Sequence, residues 1–174
     1  MAMRAVIRCA TAAETRALGR RLALVARAGD RIALIGPLGA GKTELAKGFA
    51  AGLGVVDTVD SPSFTLMAEY RGRLPLFHLD LYRVDGAADA FEGGLLDERE
   101  AEGVTIIEWG DRLAADVDPD RLEVHIDVGR DDVRTIEVIA ATVDQTRFVA
   151  AVGDGAGSAV EEANALRGAA AADH

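Results

Sequence analysis

The residues best suited to chemistry in this chain lie in the stretch GPLGAGKT, residues 36–43. The stretch fits the pattern G-x-x-x-x-G-K-[ST], with Gly36, Gly41, Lys42 and Thr43 at the fixed positions. Glycines let the backbone curl so that amide N–H groups face phosphate oxygens, and the N-terminus of a following helix adds its positive end. The pattern therefore predicts a phosphate-binding loop (P-loop) in which Lys42 reaches the β- and γ-phosphates and the Thr43 hydroxyl binds Mg²⁺.

Most of the predicted nucleotide-binding residues belong to this motif. Guanine selection in small GTPases uses an Asn/Thr-Lys-x-Asp motif, which cannot form here because the only lysines are Lys42 and Lys47 and the only asparagine is Asn164. We therefore expect ATP. Thr11, at the start of a predicted helix, and Arg130, in a predicted turn, are candidates for adenine contact, with a solvent-facing turn arginine as the alternative. The predicted nucleotide-binding residues are Thr11, Gly36, Leu38, Gly39, Ala40, Gly41, Lys42, Thr43 and Arg130.

Two carboxylates follow apolar runs that read as strands. Asp80 closes LPLFHLD, and Glu108 closes VTIIE. Each should emerge at a strand end beside the P-loop, where it either holds Mg²⁺ or orients a water molecule. For either one alone, a strand-end residue that merely faces water is the alternative. His78 lies on the same strand face as Asp80, and we expect it to be a hydrogen-bonded structural group.

A further stretch, SPSFT at residues 61–65, is a candidate switch loop. Through Ser63 or Thr65 it would sense the γ-phosphate, and an ordinary turn fits its composition equally well. Trp109 is the only tryptophan and follows the second carboxylate directly. Core packing and contact with a nucleotide or partner both fit it.

The elements that must position these residues alternate between helices and strands. A capping box formed by Thr11 and Glu14 opens a helix predicted over 12–28, and apolar spacing predicts a second helix over 42–52, directly after the P-loop. RIALIG and VTIIEW have the continuous apolar character of buried central strands. TLMAEY and LPLFHLDLY indicate two strands joined by a tight turn, and LEVHIDV and VRTIEVIA indicate a hairpin at one edge.

Composition agrees with this order of elements. Hydrophobic residues make up 49% of the chain and aromatic residues only 5%, so the core must consist mainly of Ala, Val, Leu and Ile. We predict an α/β, P-loop NTPase-like three-layer fold with a mixed, mainly parallel central sheet and an antiparallel edge hairpin. Residues 1–152 form the predicted P-loop ATPase domain, and the Ala/Gly-rich residues 153–174 a tail expected to be disordered. The glycine-interrupted stretch 83–103 predicts two short helices or a mobile connection.

Charge and cysteine content narrow the function classes. The net charge of −10, from 19 basic and 29 acidic residues, is the wrong sign for a protein that holds a nucleic acid backbone unaided. We therefore expect no DNA partner and only an indirect link to RNA. The single cysteine, Cys9, and the lack of a charged-then-apolar leader favour a cytoplasmic location. No apolar run reaches the ~18 residues of a membrane span.

Five segments, in their order and spacing, resemble the TsaE (YjeE) family, the small P-loop ATPases of bacterial tRNA threonylcarbamoyladenosine synthesis. They are GPLGAGKTELAKG, SPSFTL, FHLDLYR, GLLDE and IIEWGDRL, and the likeness covers about residues 10–140. The resemblance implies a mixed-sheet P-loop fold and a weak, Mg²⁺-dependent ATPase. It also implies two partner proteins, TsaB and TsaD, of which TsaD transfers the threonylcarbamoyl group to tRNA. The chain is then expected to allow multiple turnover by TsaB–TsaD while meeting tRNA only indirectly.

The resemblance also assigns roles position by position. It makes Lys42 the phosphate-binding lysine, and Thr43 and Glu108 the Mg²⁺ ligands. Asp80 matches the strand-end acid important for hydrolysis, so the implied catalytic residues are Lys42, Asp80 and Glu108. Trp109 matches the family's tryptophan after the metal ligand, and SPSFT resembles its switch-like S-P-T-F segment.

The chain departs from the family pattern at two of these motifs. Ser63 replaces the usual threonine, which keeps a hydroxyl, and Gly-Asp at 110–111 replaces the more usual Pro-Glu. Two other functions fit the residues. One is a small-molecule kinase in which Arg71, Arg73 and Arg83 clamp a phosphate acceptor, and the other is a nucleotide-gated protein-binding module without turnover.

Overall fold

The P-loop connects the second strand to the second helix of a protein built on one seven-stranded sheet. The computed structural model describes residues 3–62, 67–82, 101–112 and 118–153. In chain order the elements are β1 (Arg4–Cys9), α1 (Ala12–Leu24), β2 (Arg31–Ile35), α2 (Lys42–Gly52), β3 (Met67–Tyr70), β4 (Leu76–Asp80), β5 (Val104–Glu108), β6 (Leu122–Val128), β7 (Arg134–Ile139) and α3 (Thr146–Gly153). Short 3-10 turns occupy Gly110–Arg112 and Arg130–Asp132.

The strand order brings the candidate acidic residues to one end of the sheet. The order is β1-β7-β6-β2-β5-β4-β3, with β6, β2, β5 and β4 parallel and antiparallel pairs on both sides of them. Every residue of β4 and β5 is buried, which explains their continuous apolar sequences. The carboxyl ends of parallel strands meet at the same edge, and there Asp80 and Glu108 are directly paired in register.

One face of the sheet carries the main hydrophobic core. Alternate strand residues such as Ile106 and Val124 pack there against Leu18 of α1, Phe49 of α2 and Phe148 of α3, all 2% exposed or less. All three described helices therefore lie over this face. Burying a residue of this size contributes roughly 1.5–3 kcal/mol relative to leaving it in water.

The opposite face of the sheet is buried over some strands and partly exposed over others. Over β4 and β5 it is buried, and Phe77, Leu79, Leu81 and Ile107 form a second cluster there. Over β6 and β7 it carries polar residues such as Glu123, His125 and Glu137, all of them partly exposed. No helix in the described ranges is long and apolar enough to cross a membrane.

The predicted fold class is confirmed, with one helix that was not predicted, α3 (Thr146–Gly153), and with differences at the ends of other elements. α2 has its predicted bounds, but α1 ends at Leu24 instead of residue 28, because the Asp30 carboxylate accepts a hydrogen bond from the Arg27 amide (2.7 Å) and favours a turn. The predicted edge hairpin is formed by β6 and β7, and β1 pairs with β7 outside it. Of the stretch 83–103 and the tail 153–174, residues 83–100 and 154–174 lie outside the described residues, and Gly153, the first residue of the predicted tail, ends α3.

Helices α1 and α2 pack closely through glycines, and this contact fixes where the P-loop helix lies. A Cβ on Gly48 of α2 would be 2.0 Å from the Arg16 carbonyl oxygen in α1. On the facing side, a Cβ on Gly19 would be 2.3 Å from the Leu45 carbonyl oxygen. Only glycine at these two positions allows the backbones to approach this far.

We expect Gly48→Ala to destabilise the protein by about 2 kcal/mol, because the new methyl group overlaps backbone atoms that cannot move independently. In an exposed helix the same change would stabilise by up to ~1 kcal/mol, so the sign of the effect tests the contact. Urea denaturation gives the free energy of unfolding. Ala51→Ser, on the exposed side of α2, should change it by less than ~0.5 kcal/mol. A neutral or stabilising Gly48→Ala would contradict the close packing.

Candidate functional site

The P-loop backbone turns through two glycines in the left-handed region. Gly39 has φ 78° and Gly41 has φ 108°, which glycine adopts without strain. Gly36 is required for space, because a Cβ there would lie 2.5 Å from the carbonyl oxygen of Ile126 in β6. α2 then begins at Lys42, and no side chain caps its first turn. Its first amide N–H groups are therefore left for an external acceptor.

The Lys42 ammonium is almost completely buried in the loop, with only 5% of the residue exposed. Its Nζ donates to the carbonyl oxygens of Gly36 (2.7 Å) and Pro37 (2.9 Å) and lies 3.8 Å from the centre of the Trp109 ring. Burial lowers the pKa of Lys42 from its ordinary value, and nearby carboxylates, Glu108 above all, oppose this shift. Two carbonyls and a ring face compensate a buried charge only in part, so the position favours an anion.

The Glu108 carboxylate connects α2 to β4. Its Oε1 accepts a hydrogen bond from the Thr43 hydroxyl (2.9 Å), and its Oε2 accepts one from His78 Nε2 (2.6 Å). Glu108 is 2% exposed and His78 is fully buried. His78 is thus hydrogen-bonded, as expected from the sequence, and its partner is the candidate metal ligand. Because both carboxylate oxygens have a donor, the group is held in one orientation.

The Asp80 carboxylate is held by the chain on both sides of it. The Ser61 hydroxyl donates to Oδ2, and the Tyr82 amide donates to Oδ1 at 2.9 Å. Asp80 is 5% exposed and lies opposite Glu108 in the strand register. Both acids predicted at strand ends therefore occupy one end of the sheet.

These groups line a cleft of about 460 Å³, a volume within the usual range of ligand sites. Its wall combines backbone from the P-loop, the first turn of α2, the two strand-end acids and the rings of Tyr82 and Trp109, whose centres are 4.9 Å apart. The lining residues are Leu38, Gly39, Ala40, Gly41, Lys42, Thr43, Glu44, Ser61, Asp80, Tyr82, Glu108 and Trp109.

The charges of the cleft favour an anion only together with a cation. Lys42 is the basic residue of the lining, and it faces the carboxylates of Asp80 and Glu108. Glu44 is paired with Arg16 (2.6 Å), whose hydrogen bond lowers the pKa of Glu44. Phosphates placed among these acids would be repelled, and a divalent cation between them removes the repulsion.

The side chains present fit Mg²⁺. Thr43 uses its hydroxyl hydrogen in the bond to Glu108, which leaves the oxygen lone pairs for a cation, and the carboxylate supplies negative charge beside it. Within the described ranges, no group of three or more His, Cys, Asp or Glu side chains is placed to hold a metal alone. A cation at Thr43 and Glu108 would share its coordination with phosphate or water oxygens, as is usual for Mg²⁺.

The predicted site residues fall into three groups. Those of the P-loop line the cleft or, for Gly36, contact the Lys42 ammonium. Thr11 and Arg130 do not line it: the Thr11 hydroxyl caps α1, and Arg130 is exposed in the β6–β7 turn, so adenine contact stays a prediction for both. Ser63 and Thr65 lie outside the described residues.

Sequence reasoning missed several residues of the site. Ser61 and Tyr82 carried a usable signal, since Ser61 opens the SPSFT stretch and Tyr82 stands two residues after Asp80. Arg134 carried none: it donates to the P-loop carbonyl oxygens of Gly39 (3.1 Å) and Ala40 (3.2 Å), and only the pairing of distant strands brings it there.

A central parallel strand that leads through G-x-x-x-x-G-K-T into a helix defines the class of α/β proteins with a P-loop. Comparison with known proteins narrows this class to one family. The model of the family described as "Threonylcarbamoyl adenosine biosynthesis protein TsaE" matches residues 9–136. The chain therefore belongs to the TsaE family of tRNA threonylcarbamoyladenosine biosynthesis.

Individual relatives agree with the family match. The TsaE protein of Bacillus subtilis is 40% identical over 128 residues, which cover 73% of this chain and 80% of the relative. That of Streptomyces coelicolor is 38% identical over 157 residues, or 88% of this chain and 99% of the relative. A crystal structure of YdiB from Bacillus subtilis is similar with a TM-score of 0.70 and 34% identity, over 88% of this chain and 95% of that one.

The burial of Lys42 predicts a pH dependence of stability. A base whose folded pKa lies below its ordinary value of 10.5 binds its proton less tightly in the folded state, so its charged form costs stability at neutral pH. That cost disappears as the pH rises toward 10.5. We expect the free energy of unfolding of the wild type, relative to Lys42→Met, to increase between about pH 7 and pH 10.

Chemical denaturation without nucleotide measures this difference, and Lys47→Met serves as the control. Lys47 is half-exposed and paired with Glu44 (3.4 Å), so removing it tests the loss of a lysine from the same helix outside the loop. A wild-type-minus-Lys42→Met difference that falls over this range, or stays constant, would contradict a desolvated Lys42.

Proposed function

We propose that this chain is the ATP-binding and ATP-hydrolysing subunit for threonylcarbamoyl modification of the tRNA adenosine next to the anticodon. It acts in the cytoplasm on the TsaB–TsaD complex and allows that complex to turn over repeatedly. One observation carries the proposal: Lys42, Thr43 and Glu108 surround a single cleft in a chain of the TsaE family.

Binding of Mg²⁺ and ATP is supported by the chemistry of that cleft. Lys42 and the uncapped first turn of α2 would hold phosphate oxygens, while Thr43 and Glu108 would hold the cation. Mg²⁺ held there would stabilise the negative charge of the γ-phosphoryl group during its transfer to water, with ADP as the leaving group. The carboxylate of Asp80, held by hydrogen bonds from Ser61 and Tyr82, would orient the attacking water molecule.

An indirect relation to tRNA is supported by charge. A net charge of −10 opposes unaided binding to a polyphosphate backbone. A subunit that couples ATP to a protein complex does not need such binding, because its partners hold the tRNA. TsaB and TsaD are proposed as these partners on the family assignment.

The kinase alternative loses support from the arginines that would have clamped an acceptor. Arg73 donates to the carbonyl oxygens of Ala23 (2.8 Å) and Ala26 (3.2 Å) at the end of α1, and therefore stabilises that helix end. Arg71 is exposed and does not line the cleft. The third candidate, Arg83, lies outside the described residues.

We expect slow Mg²⁺-dependent phosphate release by the purified chain, and a faster rate when TsaB and TsaD are added. Lys42→Ala should lower the stimulated rate by a factor on the order of 100, because a buried donor to the transferred phosphoryl group is lost. Multiple turnover of tRNA modification should be lost with it, while a single round persists. Phosphate release and modified tRNA per complex are the measurements.

Lys47→Ala is the matched control, since it removes the same charge one turn further along α2 and outside the cleft. It should keep the rate within about twofold of wild type. Repeated tRNA modification by Lys42→Ala at the wild-type rate would refute the proposal. ATP consumption that appears only with an added metabolite would favour a kinase, and tight ATP binding without any turnover would favour a nucleotide-gated module.

A further inference from the structure

The outer side of the P-loop is contacted by an arginine from the far hairpin. Arg134, the first residue of β7, donates from Nη2 to the Gly39 carbonyl oxygen (3.1 Å) and from Nε to the Ala40 carbonyl oxygen (3.2 Å). Its Nη1 donates to the carbonyl oxygen of Asp132 (2.5 Å). The guanidinium therefore ties two consecutive P-loop carbonyls to the turn between β6 and β7.

Because the peptide bond is planar, the contact of Arg134 with a P-loop carbonyl also fixes the orientation of the N–H group in the same peptide. The Ala40 carbonyl and the Gly41 N–H belong to one trans peptide, so they point in opposite directions. With the carbonyl held by Arg134, the Gly41 N–H faces away from the guanidinium, and Gly41 lines the cleft. An arginine outside the cleft lining thus fixes the peptide plane of Gly41, a residue that lines the cleft.

The neighbouring peptide carries the same constraint to Lys42. The Gly39 carbonyl is held by Arg134, and the Ala40 N–H of that peptide donates to the Pro37 carbonyl oxygen (3.1 Å). The Pro37 oxygen also accepts from Lys42 Nζ (2.9 Å). A continuous series of hydrogen bonds therefore links Arg134 to the phosphate-binding lysine.

The turn that carries Arg134 has an unusual backbone. Asp131 and Asp132 have φ of 59° and 58°, two consecutive non-glycine residues in the left-handed region. Such a backbone is strained for residues other than glycine and persists only where the surrounding structure holds it. The hydrogen bond from Arg134 to the Asp132 carbonyl stabilises this turn. The same guanidinium contacts the P-loop, so one side chain holds the turn and the loop together.

We propose that Arg134 is a positioning residue that holds the P-loop in its nucleotide-binding conformation from outside the cleft. This role rests on the proposed ATP binding. It adds that the affinity for ATP depends on the planar, forked guanidinium of Arg134. A guanidinium donates to two adjacent carbonyls at once, whereas a lysine ammonium at the same place keeps the charge without this geometry.

The test compares ATP and ADP affinity, by calorimetry with Mg²⁺, in the full chain and in Arg134→Ala, Arg134→Lys and Arg8→Ala. Arg8→Ala is the matched control, because Arg8 is exposed on β1 and pairs with Thr135, next to Arg134. The substitution removes an equal charge near Arg134 and leaves the P-loop contacts in place. We expect both Arg134 variants to bind each nucleotide about tenfold more weakly and Arg8→Ala to stay within about twofold. Arg134 variants with wild-type affinity, or an equal loss in Arg8→Ala, would overturn the proposal.

A second measurement needs no nucleotide. Hydrogen exchange of the Ala40 amide, which donates to Pro37, should be faster in Arg134→Ala and Arg134→Lys, while exchange in β2 and β5 stays unchanged. An unchanged exchange rate of the Ala40 amide would contradict the claim that Arg134 orders the P-loop. If instead the unaltered chain binds no ATP, the proposed function fails, and the Ala40 result still decides whether Arg134 orders the loop. The Lys variant keeps the test valid if Arg134→Ala does not fold.

Discussion

The hydrogen bond from the Thr43 hydroxyl to the Glu108 carboxylate, 2.9 Å long, is the contact on which the candidate site depends. It joins the first turn of α2 to the end of β5 through two residues that are 65 positions apart in the chain. It forms only because β2 and β5 are parallel neighbours, so that the P-loop after β2 and the acid ending β5 emerge at the same edge. The glycine contacts between α1 and α2 then set the position of the helix that carries Thr43.

The same edge gathers polar and charged side chains whose burial would otherwise destabilise the fold. Lys42, His78, Asp80 and Glu108 are each 5% exposed or less. Each is hydrogen-bonded, which offsets part of the cost of burial but leaves Lys42 with a lowered pKa. Trp109 adds strain, since its φ of 58° is unfavourable for a bulky residue, and this backbone places its ring over the Lys42 ammonium. Buried charges and backbone strain of this kind are expected to cluster at a binding site.

What the sequence predicts well is local. The P-loop, α2 and the apolar strands ending in Asp80 and Glu108 each follow from spacing within a few residues, and parallel strands must bring such ends together. The end of α1 was missed because one side chain, Asp30, caps a turn there. Arg134 could not be predicted, because its contact with Gly39 and Ala40 spans about half the chain and depends on strand order. The spacing of residues along the sequence carries no information about such a long-range contact.

We propose that the P-loop and the end of β5 form one Mg²⁺-nucleotide site. The most direct measurement is a double-mutant cycle of Thr43→Val and Glu108→Gln, with ATP affinity determined with and without Mg²⁺. We expect each variant to lose most of the Mg²⁺-dependent gain in affinity and the double variant to lose little more than either one. Without Mg²⁺ neither variant is expected to lose affinity, and Glu108→Gln, which removes a carboxylate that repels phosphate, should bind ATP at least as tightly as the wild type. Losses that simply add, or that are equal with and without Mg²⁺, would contradict a shared Mg²⁺-nucleotide site at Thr43 and Glu108.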